Sequence, residues 1–206
     1  ISLKIFNCIH ETSQNIIDEF FHIPQALQYC NFNFTYWDPK ITTLPGLYLV
    51  SVTVLKPFTD CTPYTLRFTN LMASCINLYL FYSIILKLNN KSSNLKIALQ
   101  ALNLSILTPL YFFSHLYYTD TISLLSVLLF IKLYLNKSNI FTLMLCGLFS
   151  ILVRQTNVVW IAFCLGQTII NIFVQSYIKS NSSAKIDKKI KKKRETYDLN
   201  KFNSAQ

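Results

Sequence analysis

The chain has 206 residues, of which 52% are apolar by a broad count, 15% aromatic and only 14% charged, with a net charge of +10. Average soluble domains carry about 25% charged residues, so three glycines and a mean hydropathy of +0.35 point away from a soluble domain and towards a lipid-embedded helical protein. The chain has no initiator methionine and no signal-peptide pattern at its start, and it is expected to be a piece of a longer protein.

Residues 1–70 are the polar part, with four basic and five acidic side chains. Ile16 to Gln28 has mixed helical spacing with Pro24 inside it. Proline removes a backbone donor and clashes with the preceding turn, so the expectation is a short helix ending near His22 and a second with Pro24 in its first turn. Asp18 and Glu19 lie four and three residues before His22 and share its helical face. Glu19-x-x-His22 also has the spacing of di-iron bundles, but that site needs a second such motif and two further glutamates. The sequence lacks them, so no metal or other cofactor is expected. Trp37-Asp38-Pro39-Lys40 and Leu44-Pro45-Gly46 contain turn formers.

Five apolar runs follow, near 71–86, 97–113, 121–135, 139–153 and 156–176. A helix needs about 20 residues to span a bilayer, so the first, third and fourth are short and would borrow flanking residues or tilt in a thin bilayer. Residues 179–206 carry nine Lys or Arg against three acids, with their core at Lys188–Arg194. Such a cluster can bind nucleic acid or anionic lipid, but a cytosolic topology signal accounts for it, and no nucleic-acid partner is expected.

If every run crosses, the loops alternate sides. One side receives Lys87, Lys91, Lys96, Lys132, Lys137 and the basic tail. The other receives residues 1–70, the turn at Ser114–Asp120 and the turn at Arg154–Thr156. The positive-inside rule makes the first side cytosolic. The domains are then a lumenal loop at 1–70, about five spans over 71–178 and a basic cytosolic segment at 179–206. Among the N-x-[ST] sequons, Asn33 is lumenal, Asn90, Asn136 and Asn181 are cytosolic, and Asn103 lies within a span. Cys75, Cys146 and Cys164 fall in apolar runs as small hydrophobes. Cys8, Cys30 and Cys61 leave one disulfide open to three pairings.

Arg154 interrupts the longest apolar region, and an ionisable group in such a place is a functional-site hypothesis. Its guanidinium suits a phosphate, while Arg154–Asn157 also reads as a polar turn between spans. Asp120 is a second acid of a site or a partner for Arg154. Asp38 contacts hydroxyls or caps a turn. Trp160 reads as an interfacial belt residue before a sugar platform.

Asp18-Glu19, Phe21–Ala26, Gln28-Tyr29-Cys30 and Trp37–Tyr48, followed in order by Leu116–Asp120 and Arg154–Asn157, resemble the endoplasmic-reticulum dolichyl-phosphate-glucose alpha-1,2-glucosyltransferase family. The resemblance runs from about Asp18 to about Asn171, with Leu27 standing where the family usually has glutamine. It implies an all-α, multi-pass membrane helix bundle of the lipid-phosphosugar glycosyltransferase type with a helical lumenal loop. The implied donor is dolichyl phosphate glucose and the implied acceptor a diglucosylated oligosaccharide on diphosphodolichol, both membrane lipids. The absence of a D-x-D pair suits a lipid-phosphate donor.

The reaction implied is one inverting displacement. A lumenal acid serves as base, carried over to Asp18 with Glu19 as competitor; a helix-capping role for one of the pair is the alternative. Arg154, with His22 or Lys40, would hold the donor phosphate. His22 is otherwise an internally bonded loop histidine. Asp38, Tyr118, Asp120, Gln155 and Asn157 would contact substrate. The rival readings are a membrane transporter or channel and a catalytically silent scaffold. Charges gathered at span ends on one side favour chemistry at an interface over passage through the bilayer.

Overall fold

The computed structural model describes residues 2–89 and 91–179. The basic cluster Lys188–Arg194 and the sequons at Asn90 and Asn181 lie outside the described residues. All regular structure among the described residues is helical: α1 (Ser2–Thr12), α2 (Glu19–Cys30), α3 (Gly46–Leu55), α4 (Pro63–Leu88), α5 (Asn94–Ser105), α6 (Thr108–Phe113), α7 (Thr119–Leu135) and α8 (Ile140–Val153). A 3-10 turn, Gln155–Asn157, then leads into α9 (158–179). Two compact units are present, Ile1–Ile161 and Ala162–Gln206; the described part of the second is the remainder of α9.

Three boundaries differ from the sequence reading, each for a local reason. Helix α2 is continuous through Pro24 instead of breaking there. The carbonyl that loses its partner belongs to Phe20, in the first turn and 56% exposed, where water can satisfy it. Helix α4 begins at Pro63, eight residues before the expected run, because Thr62 and Thr65 form a reciprocal capping box with proline at the first helical position. The run expected at 97–113 is two helices, α5 and α6, since Pro109 near the start of α6 cannot sit in a continuous helix interior.

α4 packs on α5 and α7, α7 packs on α8, and α3 touches α2, α4 and α8. Ile23, Tyr29, Leu47, Tyr48, Leu66 and Val153 share one core with Tyr117 and Ile122. That core gathers α2, α3, the start of α4, the turn before α7 and the end of α8. A second cluster, Leu80, Ile84 and Leu128, joins α4 to α7 further along both helices.

Pro63–Leu88 and Gln155–Lys179 are long and apolar enough to cross a membrane. Only 28% and 11% of their most apolar windows are buried, whereas the core helix of a soluble domain hides its apolar residues. Helix α8 behaves likewise, with Phe141, Met144 and Leu148 all at least 59% exposed. Cys30 at the end of α2 is bonded to Cys61 just before α4, which selects one of the three pairings and leaves Cys8 free.

Candidate active site

The acidic start of α2 is held by charge. Glu19 is fully buried, and its Oε1 accepts hydrogen bonds from Arg67 Nε (2.9 Å) and the Tyr117 N–H (2.7 Å). Its Oε2 accepts from Arg67 Nη2 (2.7 Å) and the Ile16 N–H (3.1 Å). Arg67 is 2% exposed and also donates to the Gln14 carbonyl. Each carboxylate oxygen thus has two donors, and the guanidinium supplies one of them on both oxygens. Glu19 therefore ties α2 to α4 and to the turn before α7.

Asp18 is the opposite case. It is exposed at the N-cap of α2, and its side chain makes no capping hydrogen bond. Its backbone N–H donates to the Tyr118 hydroxyl (3.0 Å), which donates to the Ile16 carbonyl (3.0 Å). Burial pushes the Tyr118 phenol up, so this clamp stays protonated. Asn70, fully buried on α4, fixes the same turn by donating to the carbonyls of Leu116 (2.6 Å) and Tyr118 (2.8 Å).

His22 lies one turn from Asp18 in α2. Its Nδ1 shares a 2.6 Å hydrogen bond with the Tyr48 hydroxyl, and burial holds its pKa below the usual 6.5, opposed by Asp18, Asp120 and Glu19 in that order. The His22 ring also meets the ring of Tyr118 edge-on (centroids 6.2 Å), two residues before Asp120 in the first turn of α7. Asp120 is ion-paired with Arg154, and the two side chains are 33% and 38% exposed. Asp18, His22, Tyr118, Asp120 and Arg154 thus converge from three parts of the chain.

The Arg154 turn is set by close packing. A Cβ on Gly46 would lie 2.6 Å from the Leu152 carbonyl and the Val153 backbone, so only glycine lets α3 start against the end of α8. Gln155 donates to the Thr42 carbonyl (2.9 Å), securing the same turn to the loop before α3. Asn157 is buried, accepts from Ser123 Oγ (2.9 Å), donates one N–H to the Ser150 carbonyl (2.9 Å) and borders the cavity beside Arg154. Asp38 accepts from the Lys40 N–H (2.9 Å), a turn cap, and Lys40 stands 5.2 Å over the Phe21 ring. Among the described residues, neither makes a hydrogen bond or ion pair with Asp18, His22, Asp120 or Arg154.

Beside the ion pair opens a cavity of about 430 Å³. Asp120 and Arg154 stand at its polar end, and Leu124, Leu128, Ile131 and Trp160 line the rest. From Asp120 to Ile131 along α7 is about 16 Å at ~1.5 Å per residue. Among the described residues, no group of three or more His, Cys, Asp and Glu is placed to hold a metal ion.

Arg67 and Asn70 are not singled out by the sequence, and Tyr48 enters there only as the end of the Trp37–Tyr48 stretch. Arg67 carried a usable signal, being the one charge between Asp60 and Lys87 and lying a turn inside an apolar helix.

These features define a protein that is helical throughout its described residues, with membrane-length helices and an Asp120–Arg154 ion pair bordering an apolar groove. The family model described as "DIE2/ALG10 family" matches residues 12–205, and the chain belongs to that family. A Drosophila melanogaster relative named Dol-P-Glc:Glc(2)Man(9)GlcNAc(2)-PP-Dol alpha-1,2-glucosyltransferase is 44% identical over 174 residues, covering 84% of this chain and 38% of the relative. Relatives of the same name from Homo sapiens (41% over 169 residues; 74% and 35% covered) and Arabidopsis thaliana (37% over 182; 81% and 36%) are also similar. The chain thus spans little more than a third of these relatives' length. No solved structure matches.

Proposed function

We propose that this chain carries the lumenal reaction site of an endoplasmic-reticulum, multi-pass glucosyltransferase. It takes glucose from dolichyl phosphate glucose and adds it, alpha-1,2-linked, to the diglucosylated oligosaccharide on diphosphodolichol. The relatives' names supply the two substrates. The single observation that carries the reading is Arg154, paired with Asp120, at the polar end of an apolar cavity. A lipid phosphate needs that combination: a guanidinium for the phosphate oxygens and an apolar groove for the first isoprene units.

Asp18 is the base in this scheme. Its exposed carboxylate takes the proton of the acceptor hydroxyl as that oxygen attacks C1 of the donor glucose. The new C1–O bond forms on the face opposite the breaking C1–O bond, so the configuration inverts and the electron pair leaves with dolichyl phosphate. Arg154 turns from Asp120 to the phosphate as charge builds there. His22 is neutral at neutral pH, and a Tyr48 donor on Nδ1 leaves the ring proton on Nε2, free to donate to the phosphate. Glu19 holds the frame. Gln155 and Asn157 act on the site by fixing the Arg154 turn. The division into lumenal residues 1–70, spans over 71–178 and a cytosolic basic segment belongs to the same proposal. The Cys30–Cys61 disulfide supports it, because disulfides persist in oxidising compartments.

The test is donor kinetics of the full-length protein containing this chain, in microsomes lacking endogenous activity. Arg154→Gln is expected to lower glucose transfer about 10²–10³-fold, the loss typical of one key charge-stabilising group, without loss of inserted protein. Wild-type kinetics in Arg154→Gln would remove Arg154 from the phosphate site.

A further inference from the structure

The sequon Asn33-Phe34-Thr35 begins where α2 ends. Asn31 is the C-cap, Phe32 adopts φ 58°, the Phe32 N–H donates to the Tyr29 carbonyl (2.8 Å) and the Asn33 N–H to the Gln28 carbonyl (2.9 Å). That pair of bonds is a Schellman stop, and it turns the chain outward. All residues from Asn31 to Trp37 are exposed. Thr35 Oγ1 donates to Asn33 Oδ1 (3.0 Å), so the two side chains the sequon requires lie together at the surface. Asn33 Nδ2 donates to Gln28 Oε1 (2.9 Å), an exposed contact whose net worth in water is about 1 kcal/mol.

From this geometry we infer that Asn33 is an N-glycan acceptor. The inference rests on the proposed lumenal placement of residues 1–70, which the nearby Cys30–Cys61 disulfide also favours. Asn136 caps the far end of α7, about 25 Å along the helix from Thr119 at ~1.5 Å per residue, and so falls on the opposite side. Asn103 lies within α5.

The modification is a transfer from a lipid-diphosphate-linked oligosaccharide by a separate transferase. Asn33 Nδ2 attacks C1 of the first sugar, the Nδ2–C1 bond forms and the C1–O bond to the diphosphate breaks. The amide proton goes to the transferase's base, and the lipid diphosphate leaves. Asn33 follows the C-terminal end of α2, and Asp18 caps the other end of that 12-residue helix, about 18 Å away along its axis at ~1.5 Å per residue.

The experiment is gel mobility of the full-length protein from microsomes, before and after enzymatic removal of N-glycans. Variants are Asn33→Gln, Thr35→Ala, and Asn33→Gln combined with Pro57→Asn, which completes a sequon with the exposed Thr59 of the same loop. The expected result is a loss of one glycan-sized step in Asn33→Gln and in Thr35→Ala, with the step restored by Pro57→Asn. A wild type with no step at Asn33, beside a Pro57→Asn variant that gains one, overturns the acceptor role while leaving the loop lumenal. No step in any of them overturns both the acceptor role and the lumenal placement. The readout does not depend on glucose transfer by this protein, so it fails or succeeds separately from the catalytic reading.

Discussion

Glu19 and Arg67, 48 residues apart in the chain, form a buried bidentate ion pair through Arg67 Nε and Nη2. Removing one partner of such a pair leaves an uncompensated buried charge, at a cost of about 3–5 kcal/mol. Glu19→Gln and Arg67→Met are each expected to lose folded protein on that scale, read as thermal stability in detergent. The double variant recovers only part of the loss, because Glu19 also accepts from the backbone N–H groups of Ile16 and Tyr117. Asp18→Asn is expected to melt with the wild type, since its carboxylate caps nothing.

Gly46 and Gly147 make a matched pair of tests. Gly46→Ala puts a methyl 2.6 Å from the α8 backbone, which cannot yield as a flexible side chain can. It is expected to separate α3 from α8, shift the Arg154 turn and lower both stability and transfer. Gly147→Ala meets side chains of Ile161 and Phe130 at 3.4 Å and is expected to keep most of both. Parallel melting and activity curves distinguish the two.

His22 supplies a pH signature. Burial lowers its pKa below 6.5 in the folded protein, so between that value and 6.5 the unfolded chain binds more protons. By linkage, its contribution to stability is complete above about pH 6.5 and is lost as pH falls towards the folded pKa. The melting temperature of wild type is expected to fall between pH 7.5 and 5.5 more steeply than that of His22→Gln. Equal slopes would exclude His22 as the source.

The Cys30–Cys61 bond closes a separation of 31 residues, for which the chain-entropy relation gives about 3–4 kcal/mol. Cys61→Ser is expected to lower stability on that scale and to abolish the difference in mobility between reduced and unreduced protein. Cys8→Ser, at a free exposed thiol, is expected to change neither.

The charged positions of the site were legible because each breaks a local rule: Arg154 in an apolar region, Asp120 at a span end, Asp18 and Glu19 beside His22. Their division of labour was not. Adjacent acids look equivalent until Arg67, a distant residue, takes one of them. Nothing local in the sequence shows that Ser123 and the Ser150 carbonyl hold the amide of Asn157. The all-helical class followed from apolar runs, but helix ends did not. Thr62 capping lengthened α4, Pro109 divided one run, and Pro24 fell close enough to a helix start to be tolerated.

Glucose transfer from dolichyl phosphate glucose to the diglucosylated lipid-linked acceptor, measured for the full-length protein with Asp18→Asn against wild type at matched levels of inserted protein, tests the central claim most directly. A base that initiates the displacement contributes typically 10²–10⁴-fold, and Asp18→Asn is predicted to lose about that much while melting normally. Transfer at the wild-type rate by Asp18→Asn would contradict the account.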